Sequence, residues 1–209
     1  MSARGRFITL EGGEGAGKST LARGLAAALT ARGITVRTTR EPGGTPGADE
    51  IRALLLKGAV ARWSVLSEAL LFAAARNDHL ERFIRPALAE GAWVICDRYA
   101  DSTRAYQVGG GGLPFATFEA LHRAIAADRP DLTFILDIAP AAGLARSRGE
   151  ALGEARFESH GVDFHMRVRK EFAAILESEP DRCVKLDAAA AQKDVLAAAL
   201  AAIDARLTP

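Results

Sequence analysis

The residues best suited to chemistry lie in a glycine-rich stretch near the N-terminus. Residues 12–19 read Gly-Gly-Glu-Gly-Ala-Gly-Lys-Ser and fit the pattern GxxxxGK[ST]. Glycines let the backbone fold tightly around phosphate oxygens, so that successive N–H groups point at the anion. Lys18 is then expected to reach the β- and γ-phosphates, and Ser19 the magnesium ion. The predicted nucleoside triphosphate site consists of Gly12, Gly13, Glu14, Gly15, Ala16, Gly17, Lys18 and Ser19.

A second chemical signal follows a run of apolar residues at 93–96. Asp97 comes directly after this run, which is the position from which a carboxylate holds magnesium or its water shell beside a phosphate loop. Arg98 follows it and offers a planar fork of donors suited to a second phosphate group. An ion pair at the end of a strand is the structural alternative for these two residues.

Three arginines lie on or beside a polar excursion at residues 149–161. Arg146 and Arg148 precede it and Arg156 lies within it. Guanidinium groups on such a segment predict a lid that closes over the phosphates and neutralises charge in the transition state. A solvated surface is the alternative.

The elements that must position these residues alternate between strand and helix. The Phe7-Ile8-Thr9-Leu10 run predicts a strand before the loop, and Leu21, Leu25 and Leu29 predict a helix after it. Predicted strands cover 7–10, 34–39, 93–96, 132–138 and 183–186, and predicted helices cover 20–31, 48–57, 64–90 with a bend near Pro86, 114–127, 141–148, 162–178 and the alanine-rich C-terminus. This order indicates an α/β fold: a doubly wound, five-stranded parallel sheet with helices on both faces, forming a single domain over 1–209 with a lid at about 149–161.

Composition narrows the class of partner. The chain has 27 Lys and Arg against 26 Asp and Glu, so overall charge gives no sign of a nucleic-acid or membrane partner. Cys96 and Cys183 fall in predicted strands without a CxxC pair, which favours a reducing compartment over a disulfide or zinc framework. There is no apolar leader and no apolar run long enough for a membrane span. We expect a small-molecule enzyme of the cytoplasm.

Taken together, the motifs resemble the bacterial type of thymidylate kinase, a P-loop nucleoside monophosphate kinase family. The resemblance runs from Phe7 to about Asp187. It rests on Glu11 with the phosphate loop, Arg40-Glu41-Pro42-Gly43-Gly44-Thr45, Leu71-Phe72-Ala73-Ala74-Ala75-Arg76, Asp97-Arg98-Tyr99, Ser102-Thr103, Ala105-Tyr106-Gln107, Pro130-Asp131-Leu132 and Leu136-Asp137. It implies phosphoryl transfer from ATP, with Mg2+, to thymidine monophosphate (dTMP), and it implies a homodimer.

The resemblance also implies roles for individual residues. Phe72 would stack on thymine and Arg76 would donate to a thymine carbonyl, and their spacing of four places both on one face of a helix. Arg98 would hold the acceptor phosphate, and Glu11 would lie near the sugar 3′-hydroxyl or the magnesium water shell. The implied substrate-binding set is Glu41, Arg52, Phe72, Arg76, Arg98, Thr103, Tyr106 and Gln107. The predicted catalytic set is Lys18, Arg98, Arg148, Arg156 and Glu11, and the metal ligands are Ser19 and Asp97.

One difference between family subtypes bears on the lid. The eukaryotic type carries an arginine in the phosphate loop, where this chain has Gly15. This chain resembles the type that supplies the missing charge from the lid. Arg148 and Arg156 are favoured over Arg146 for this role.

Three other functions compete with this interpretation. A GTPase-like switch would need an Asn-Lys-x-Asp motif, but the single asparagine, Asn77, precedes Asp78. A kinase for another nucleoside or nucleoside monophosphate is disfavoured by Phe72, Arg76, Thr103 and Gln107 together. An inactive homologue is disfavoured by the presence of Lys18, Ser19, Asp97 and Arg98.

Overall fold

A computed structural model describes residues 4–147 and 155–207 and contains one five-stranded sheet within them. The strands are β1 Phe7–Gly12, β2 Val36–Arg40, β3 Trp93–Asp97, β4 Leu132–Asp137 and β5 Cys183–Asp187. All neighbours pair in parallel, in the order β2-β3-β1-β4-β5. The predicted parallel sheet is confirmed. β2 begins later than predicted because the Ile34 N–H donates to the Leu29 carbonyl at 3.1 Å, so Ile34 belongs to the turn that ends the first helix.

Helices connect the strands. They are α1 Lys18–Ala31, α2 Pro46–Leu56, α3 Val65–His79, α4 Arg85–Ala89, α5 Ala100–Thr103, α6 Phe115–Ala124, α7 Pro140–Ser147, α8 Ala155–Glu158, α9 Val162–Ser178 and α10 Gln192–Arg206. Within the two described stretches, no helix is long and apolar enough to cross a membrane.

Both faces of the sheet are covered, as predicted. On one face, Leu25 of α1 and Ile203 of α10 pack with Ile8 and Phe134 of the central strands. On the other face, Phe7 and Val94 pack against Leu80 and the residues that follow it, while Ile135 packs against α9. Alternate residues of the central strands β1, β3 and β4 therefore enter opposite cores, which is why these three strands are largely apolar.

The sheet order brings the chemical residues to one edge. β1 lies between β3 and β4, so consecutive connections leave on opposite sides and open a crevice beyond the strand ends. Leu10 is in register with Asp97, which is in turn in register with Arg40. Gly12, where the phosphate loop begins, is in register with Leu136.

The long helical stretch predicted at 64–90 contains a change of helical type. A π-helical turn at Leu80–Ile84 joins α3 to α4, and it ends two residues before Pro86. Proline has no N–H to continue the α-helical hydrogen bonds, and the Arg85 N–H reaches back five residues to the Leu80 carbonyl. The predicted irregularity is therefore a π turn before the proline.

The sequence did not predict the helical segment after β3. α5 continues as a π-helical stretch, Arg104–Gly110, although this stretch ends in glycines with poor helix propensity. Ala105 and Tyr106 are buried against Phe164 and Val168 of α9, and a Cβ on Gly110 would lie 2.5 Å from the Phe164 ring. Tertiary packing, together with the small size of glycine, decides the conformation here.

A buried ionic network fixes the start of this segment. Arg182 donates to both Asp101 oxygens at 2.7 and 2.8 Å and to Thr133 at 2.7 Å. It also pairs with Glu179 at 2.6 Å. Burial alone would lower the pKa of Arg182, but the hydrogen bonds that it donates to Asp101 and Glu179 raise it. The network joins the loop before β5 to α5.

Arg182→Met should therefore destabilise the fold strongly. The substitution leaves Asp101 buried without its cation, which costs about 3–5 kcal/mol of unfolding free energy. The double variant Arg182→Met/Asp101→Asn removes both charges and should recover part of that loss. Urea unfolding followed by circular dichroism measures both. Equal destabilisation of the single and the double variant would contradict the ionic account.

Candidate active site

The phosphate loop connects β1 to α1 at the open edge of the sheet. Gly17 precedes the helix with φ of 89°, and Gly15 has φ of 62°, conformations that favour glycine. Lys18 donates from Nζ to the carbonyls of Gly12 and Gly13 at 3.3 and 2.8 Å. The ammonium group is thus folded back over the loop, at the N-terminus of a 14-residue helix, where the helix dipole favours anions.

Gly15 is also required by packing. A Cβ there would lie 2.0 Å from the Gly143 carbonyl oxygen, and a Cβ on Gly143 would lie 2.3 Å from the Glu14 carbonyl oxygen. The loop therefore lies directly against α7. No side chain fits at residue 15 in this arrangement, so a loop-borne arginine is excluded by the backbone as well as by the sequence.

Ser19 and Asp97 are brought together as predicted. The Ser19 hydroxyl donates to Asp97 Oδ2 at 2.5 Å, across the loop from β3. A hydroxyl and a carboxylate in contact beside a phosphate loop are the oxygen donors that magnesium prefers. Both line a cavity of about 1130 Å3 that the loop borders.

Arg98 occupies a strained backbone position. Its φ of 68° is left-handed, which a residue with a side chain adopts only where surrounding contacts enforce it. The guanidinium donates to the Gly12 carbonyl and to Glu14, each at 3.0 Å, and to Ser102 at 3.3 Å. It also lies 5.1 Å from the centre of the Tyr106 ring. Strain at this residue aims its side chain between the loop and α5.

Glu14 stands where two cavities meet. It lines both the large cavity and a second, smaller one, and it accepts hydrogen bonds from Arg98 at 3.0 Å and the Tyr106 hydroxyl at 2.6 Å. Burial alone would raise the pKa of Glu14, but Arg98, Lys18 and the Tyr106 hydrogen bond hold it below its ordinary value. Glu14 is therefore an anion at neutral pH. The sequence indicated only its membership of the loop.

Glu11 lies beneath the site. Its side chain has no exposed surface. Oε2 accepts a hydrogen bond from Ser102 at 2.5 Å, and Oε1 has no hydrogen-bond partner among the residues that the structure describes. Burial and the nearby Asp101 carboxylate raise the pKa of Glu11 from 4.5 to about 8, against the lowering effect of Ser102 and Arg98. Its predicted contact with a sugar hydroxyl or magnesium-bound water stays a prediction.

The second cavity assembles most of the predicted substrate-binding residues. It has a volume of about 40 Å3, enough for only a few water molecules. Its lining is Glu14, Glu41, Pro42, Leu56, Phe72, Arg76, Arg98, Tyr99, Ser102, Thr103, Tyr106 and Phe157. It joins four aromatic rings, those of Phe72, Tyr99, Tyr106 and Phe157, to the buried Arg76 and the partly buried Arg98.

Arg76 is held firmly at the floor of this cavity. Its Nε donates to Glu41 at 2.8 Å and an Nη donates to Thr103 at 2.9 Å. Its guanidinium lies 5.0 Å from the centre of the Tyr99 ring. Burial alone would lower the pKa of Arg76, but Glu41 raises it. The guanidinium is thus a fixed, charged donor.

Two predicted substrate residues lie outside the small cavity. Arg52 lines the large cavity and donates to the Pro42 carbonyl at 2.7 Å. Gln107 is buried; its amide donates to Glu68 at 3.2 Å, and no group within 4–147 and 155–207 forms a hydrogen bond with its Oε1.

The predicted lid arginines are placed differently from one another. Arg146 lines the large cavity and donates to the Ala188 carbonyl at 2.8 Å. Arg148 lies outside the described residues. Arg156 is buried; it forms an ion pair with Glu68 and donates to the carbonyls of Leu55, Ala59 and Val60. In this conformation Arg156 faces the α2–α3 connection and not the phosphate loop, so its predicted contact with the transferred phosphoryl group requires release from Glu68.

Sequence reasoning missed two participants, Glu68 and Phe157, and only Glu68 had a signal in the sequence. Glu68 lies one helical turn before Phe72, which lies one turn before Arg76, so all three share a face of α3. Phe157 follows Arg156 and its ring lies 6.2 Å from Phe72 and 5.9 Å from Tyr106. For Phe157 only tertiary structure shows the contact.

The sheet order, the phosphate loop and the adjoining arginine-bearing cavity define a P-loop phosphotransferase. Comparison with known proteins shows to which family of phosphotransferases the chain belongs. The family model described as Thymidylate kinase matches residues 10–199, and the chain belongs to the thymidylate kinase family of enzymes.

Individual relatives agree with this assignment. A thymidylate kinase from Caulobacter vibrioides is 54% identical over 196 residues, which are 93% of this chain and 94% of that protein. One from Dinoroseobacter shibae is 48% identical over 201 residues, 96% and 97% of the two chains. The crystal structure of thymidylate kinase from Ehrlichia chaffeensis has a TM-score of 0.79 and 32% identity, and the match covers 96% of this chain and 99% of that one.

The raised pKa of Glu11 predicts a specific pH dependence of stability. Between about 4.5 and 8 the folded protein keeps a proton on Glu11 that the unfolded chain has lost, so this residue disfavours folding increasingly as pH rises through that window. Glu11→Gln lacks the proton equilibrium. Its unfolding free energy relative to the wild type should therefore increase from pH 5 to pH 8, by on the order of 1 kcal/mol per pH unit at most. Urea unfolding at several pH values measures it, and a constant difference would disprove the shift.

Proposed function

We propose that this protein phosphorylates thymidine monophosphate to the diphosphate, with ATP as donor and Mg2+ as cofactor. The observation that carries the proposal is the meeting of two cavities at Glu14 and Arg98, one bordered by the phosphate loop and the other by Phe72 and Arg76. In-line transfer between two nucleotides requires this juxtaposition.

The donor side fits a magnesium-bound triphosphate. Ser19 and Asp97 would hold the ion, which supplies positive charge between the phosphates when bound. The loop N–H groups and Lys18 would cradle the phosphate oxygens. For Lys18 this means exchanging its contacts with the Gly12 and Gly13 carbonyls for contacts with phosphate.

The acceptor side fits a planar base and a phosphate. Of the five N–H donors of the Arg76 guanidinium, Glu41 and Thr103 accept two, which orients the remaining donors. Phe72 supplies an aromatic face next to it. Arg98 is close enough to the loop to hold the acceptor phosphate in line with the donor.

The small cavity must open before a base can enter. Phe157 lies among Phe72, Tyr106 and His160, and the remaining volume of about 40 Å3 is far below that of a nucleotide pocket. We therefore include a conformational step in which α8 moves with its phenyl ring.

Charge on the migrating phosphoryl group would be met by a lid arginine, since residue 15 has no room for one. The candidates remain Arg148 and Arg156, and Arg146 lines the donor cavity.

We also propose a homodimer that works in the cytoplasm. Leu66 and Leu70 of α3 lie one helical turn apart and are 45% and 49% exposed, and Phe115 of the adjoining α6 is 44% exposed. Such an apolar face fits a second copy of this chain; light scattering tests it by mass. The free cysteines Cys96 and Cys183 suit a reducing compartment, which cell fractionation tests.

The experiment that tests the function is a coupled ADP-release assay with thymidine, uridine, cytidine, adenosine and guanosine monophosphates. We expect thymidine monophosphate to be used best and activity to need Mg2+. Lys18→Ala should reduce turnover nearly to background while circular dichroism stays unchanged, because the loss of the ammonium removes positive charge that stabilises the transferring phosphates. Full turnover in a folded Lys18→Ala protein would refute the donor site.

The acceptor site predicts selective losses. Phe72→Ala should weaken thymidine monophosphate by about 1–3 kcal/mol, as loss of base stacking does elsewhere, and Arg76→Ala should weaken it at least as much. The affinity for ATP should hardly change. Titration calorimetry with each nucleotide separates the two sites, and a loss confined to ATP would mean that the cavities have been assigned the wrong way round.

The lid predicts a loss of rate. Alanine replacement of Arg146, Arg148 or Arg156 should, for at least one of them, lower kcat by ~10³-fold with little change in either KM, because the contact forms in the transition state. Arg123→Ala on the exposed side of α6 is the matched control and should keep full activity. If the triple variant keeps more than about a tenth of the wild-type kcat, a barrier change below ~1.4 kcal/mol, the lid mechanism is wrong.

A further inference from the structure

His79 is a fully buried histidine with no part in the transfer scheme above. It is the last residue of α3, it has no exposed surface, and its ring stacks on Phe83 with centres 5.7 Å apart. Its Nδ1 lies 3.1 Å from Glu41 Oε1, and its Nε2 lies 2.7 Å from the Thr39 hydroxyl. Both ring nitrogens are therefore bonded to β2 or to the turn that follows it.

The chemistry of the partners fixes the direction of these bonds. An ionised carboxylate only accepts, so Nδ1–H donates to Glu41. In the neutral ring, Nε2 then accepts from the Thr39 hydroxyl. The histidine ring thus connects a strand residue to one oxygen of Glu41 in a defined orientation.

The other oxygen of Glu41 holds Arg76. Arg76 Nε donates to Glu41 Oε2 at 2.8 Å, and its Nη donates to Thr103 at 2.9 Å. An unbroken chain of hydrogen bonds therefore runs from Thr39 through His79, Glu41 and Arg76 to Thr103. Its middle members, His79, Glu41 and Arg76, are at most 4% exposed, so water cannot readily replace a lost partner.

Gly44 packs directly against the Thr39–His79 end of this chain of hydrogen bonds. A Cβ there would lie 2.5 Å from the Thr39 hydroxyl oxygen and 2.6 Å from His79 Nε2, and φ at Gly44 is 93°. The second glycine of the Pro42-Gly43-Gly44 turn is therefore needed for close approach to the Thr39–His79 bond. Gly44 thereby supports the acceptor site although it does not line the cavity.

We propose that His79 is a positioning residue of the acceptor site: by holding Glu41, it fixes the Arg76 guanidinium and so sets the affinity for the acceptor base. The choice of thymidine monophosphate as probe rests on the proposed function, whereas the hydrogen-bond chain does not. Without His79, Glu41 keeps its ion pair with Arg76 but loses the contact that fixes its rotation, and a small misplacement of a binding group is costly.

The test uses four variants with two independent readouts. His79→Phe keeps the ring and removes both hydrogen bonds, His79→Asn keeps a donor near the Nδ1 position, Thr39→Val removes only the hydroxyl, and Leu80→Ala is a matched control for loss of buried contacts beside His79. The first readout is the Arg76 Nε–H signal in 15N NMR spectra of the protein without nucleotide, which reports how firmly the guanidinium is held. The second is steady-state kinetics with thymidine monophosphate and ATP.

His79→Phe should weaken or broaden the Arg76 Nε–H signal and raise KM for thymidine monophosphate about tenfold, with kcat and KM for ATP within about twofold of wild type. Thr39→Val should cause the same change to a smaller extent, about threefold, and His79→Asn should recover most of the loss. Leu80→Ala should lower Tm without moving the Arg76 signal or the KM.

Two results would overturn the proposal. One is an unchanged Arg76 signal and unchanged KM in folded His79→Phe or, if that variant does not fold, in Thr39→Val. The other is an equal rise of KM in Leu80→Ala, which would show a general effect of destabilisation. If wild-type protein does not use thymidine monophosphate at all, the proposed function fails, and the NMR signals still decide whether His79 positions Arg76.

Discussion

The ion pair between Glu14 and Arg98 is the contact on which the site depends. Glu14 belongs to the phosphate loop and Arg98 to the end of β3, and the pair is nearly buried at 3.0 Å. It ties the donor side of the crevice to the acceptor side. The left-handed backbone of Arg98, at a cost of about 1–3 kcal/mol, aims the guanidinium at Gly12, Glu14 and Ser102. This backbone conformation therefore holds the Arg98 guanidinium at the junction of the two cavities.

Buried charges recur around this pair, and each is matched by a partner on another element. Glu41 meets Arg76, Glu68 meets Arg156, and Asp101 meets Arg182. An unpaired charge in such a place would cost several kcal/mol, so the pairs determine how the helices around the sheet can be arranged. A fold with this arrangement presents rigid donors to a substrate, which lowers the cost of ordering them on binding.

Glu11 is the buried acidic residue that, within the described chain, lacks a matching cation, and its environment explains why. Among the described residues no cation contacts it directly, Asp101 lies near it, and one of its oxygens has no hydrogen-bond partner. Burial and Asp101 raise its pKa, which favours the neutral carboxylic acid. Ser102 and Arg98 connect it to the acceptor side through hydrogen bonds, so its protonation is linked to the geometry of that side.

The sequence by itself determined the parallel sheet, the phosphate-loop motif at its edge and the family. Apolar runs of strand length that alternate with amphipathic helices favour a parallel sheet with helices on both faces. The pattern GxxxxGK[ST] after a strand predicts phosphate contacts for Lys18 and a magnesium contact for Ser19. The family resemblance pointed to Phe72 and Arg76, and their spacing of four is consistent with it because it puts both on one helical face. These signals are local, and local spacing survives folding unchanged.

Only the tertiary structure decided those features that depend on contacts between segments distant in sequence. The helix at Ala100–Gly110 forms because α9 packs on it, against the low helix propensity of its glycines. Arg156 pairs with Glu68 in the present conformation, 88 residues away along the chain, so its position in a polar excursion could not show where its charge lies. His79, Thr39 and Gly44 likewise meet only after β2 joins the sheet. Burial makes these long-range polar contacts strong and exclusive, and burial is a property of the assembled fold.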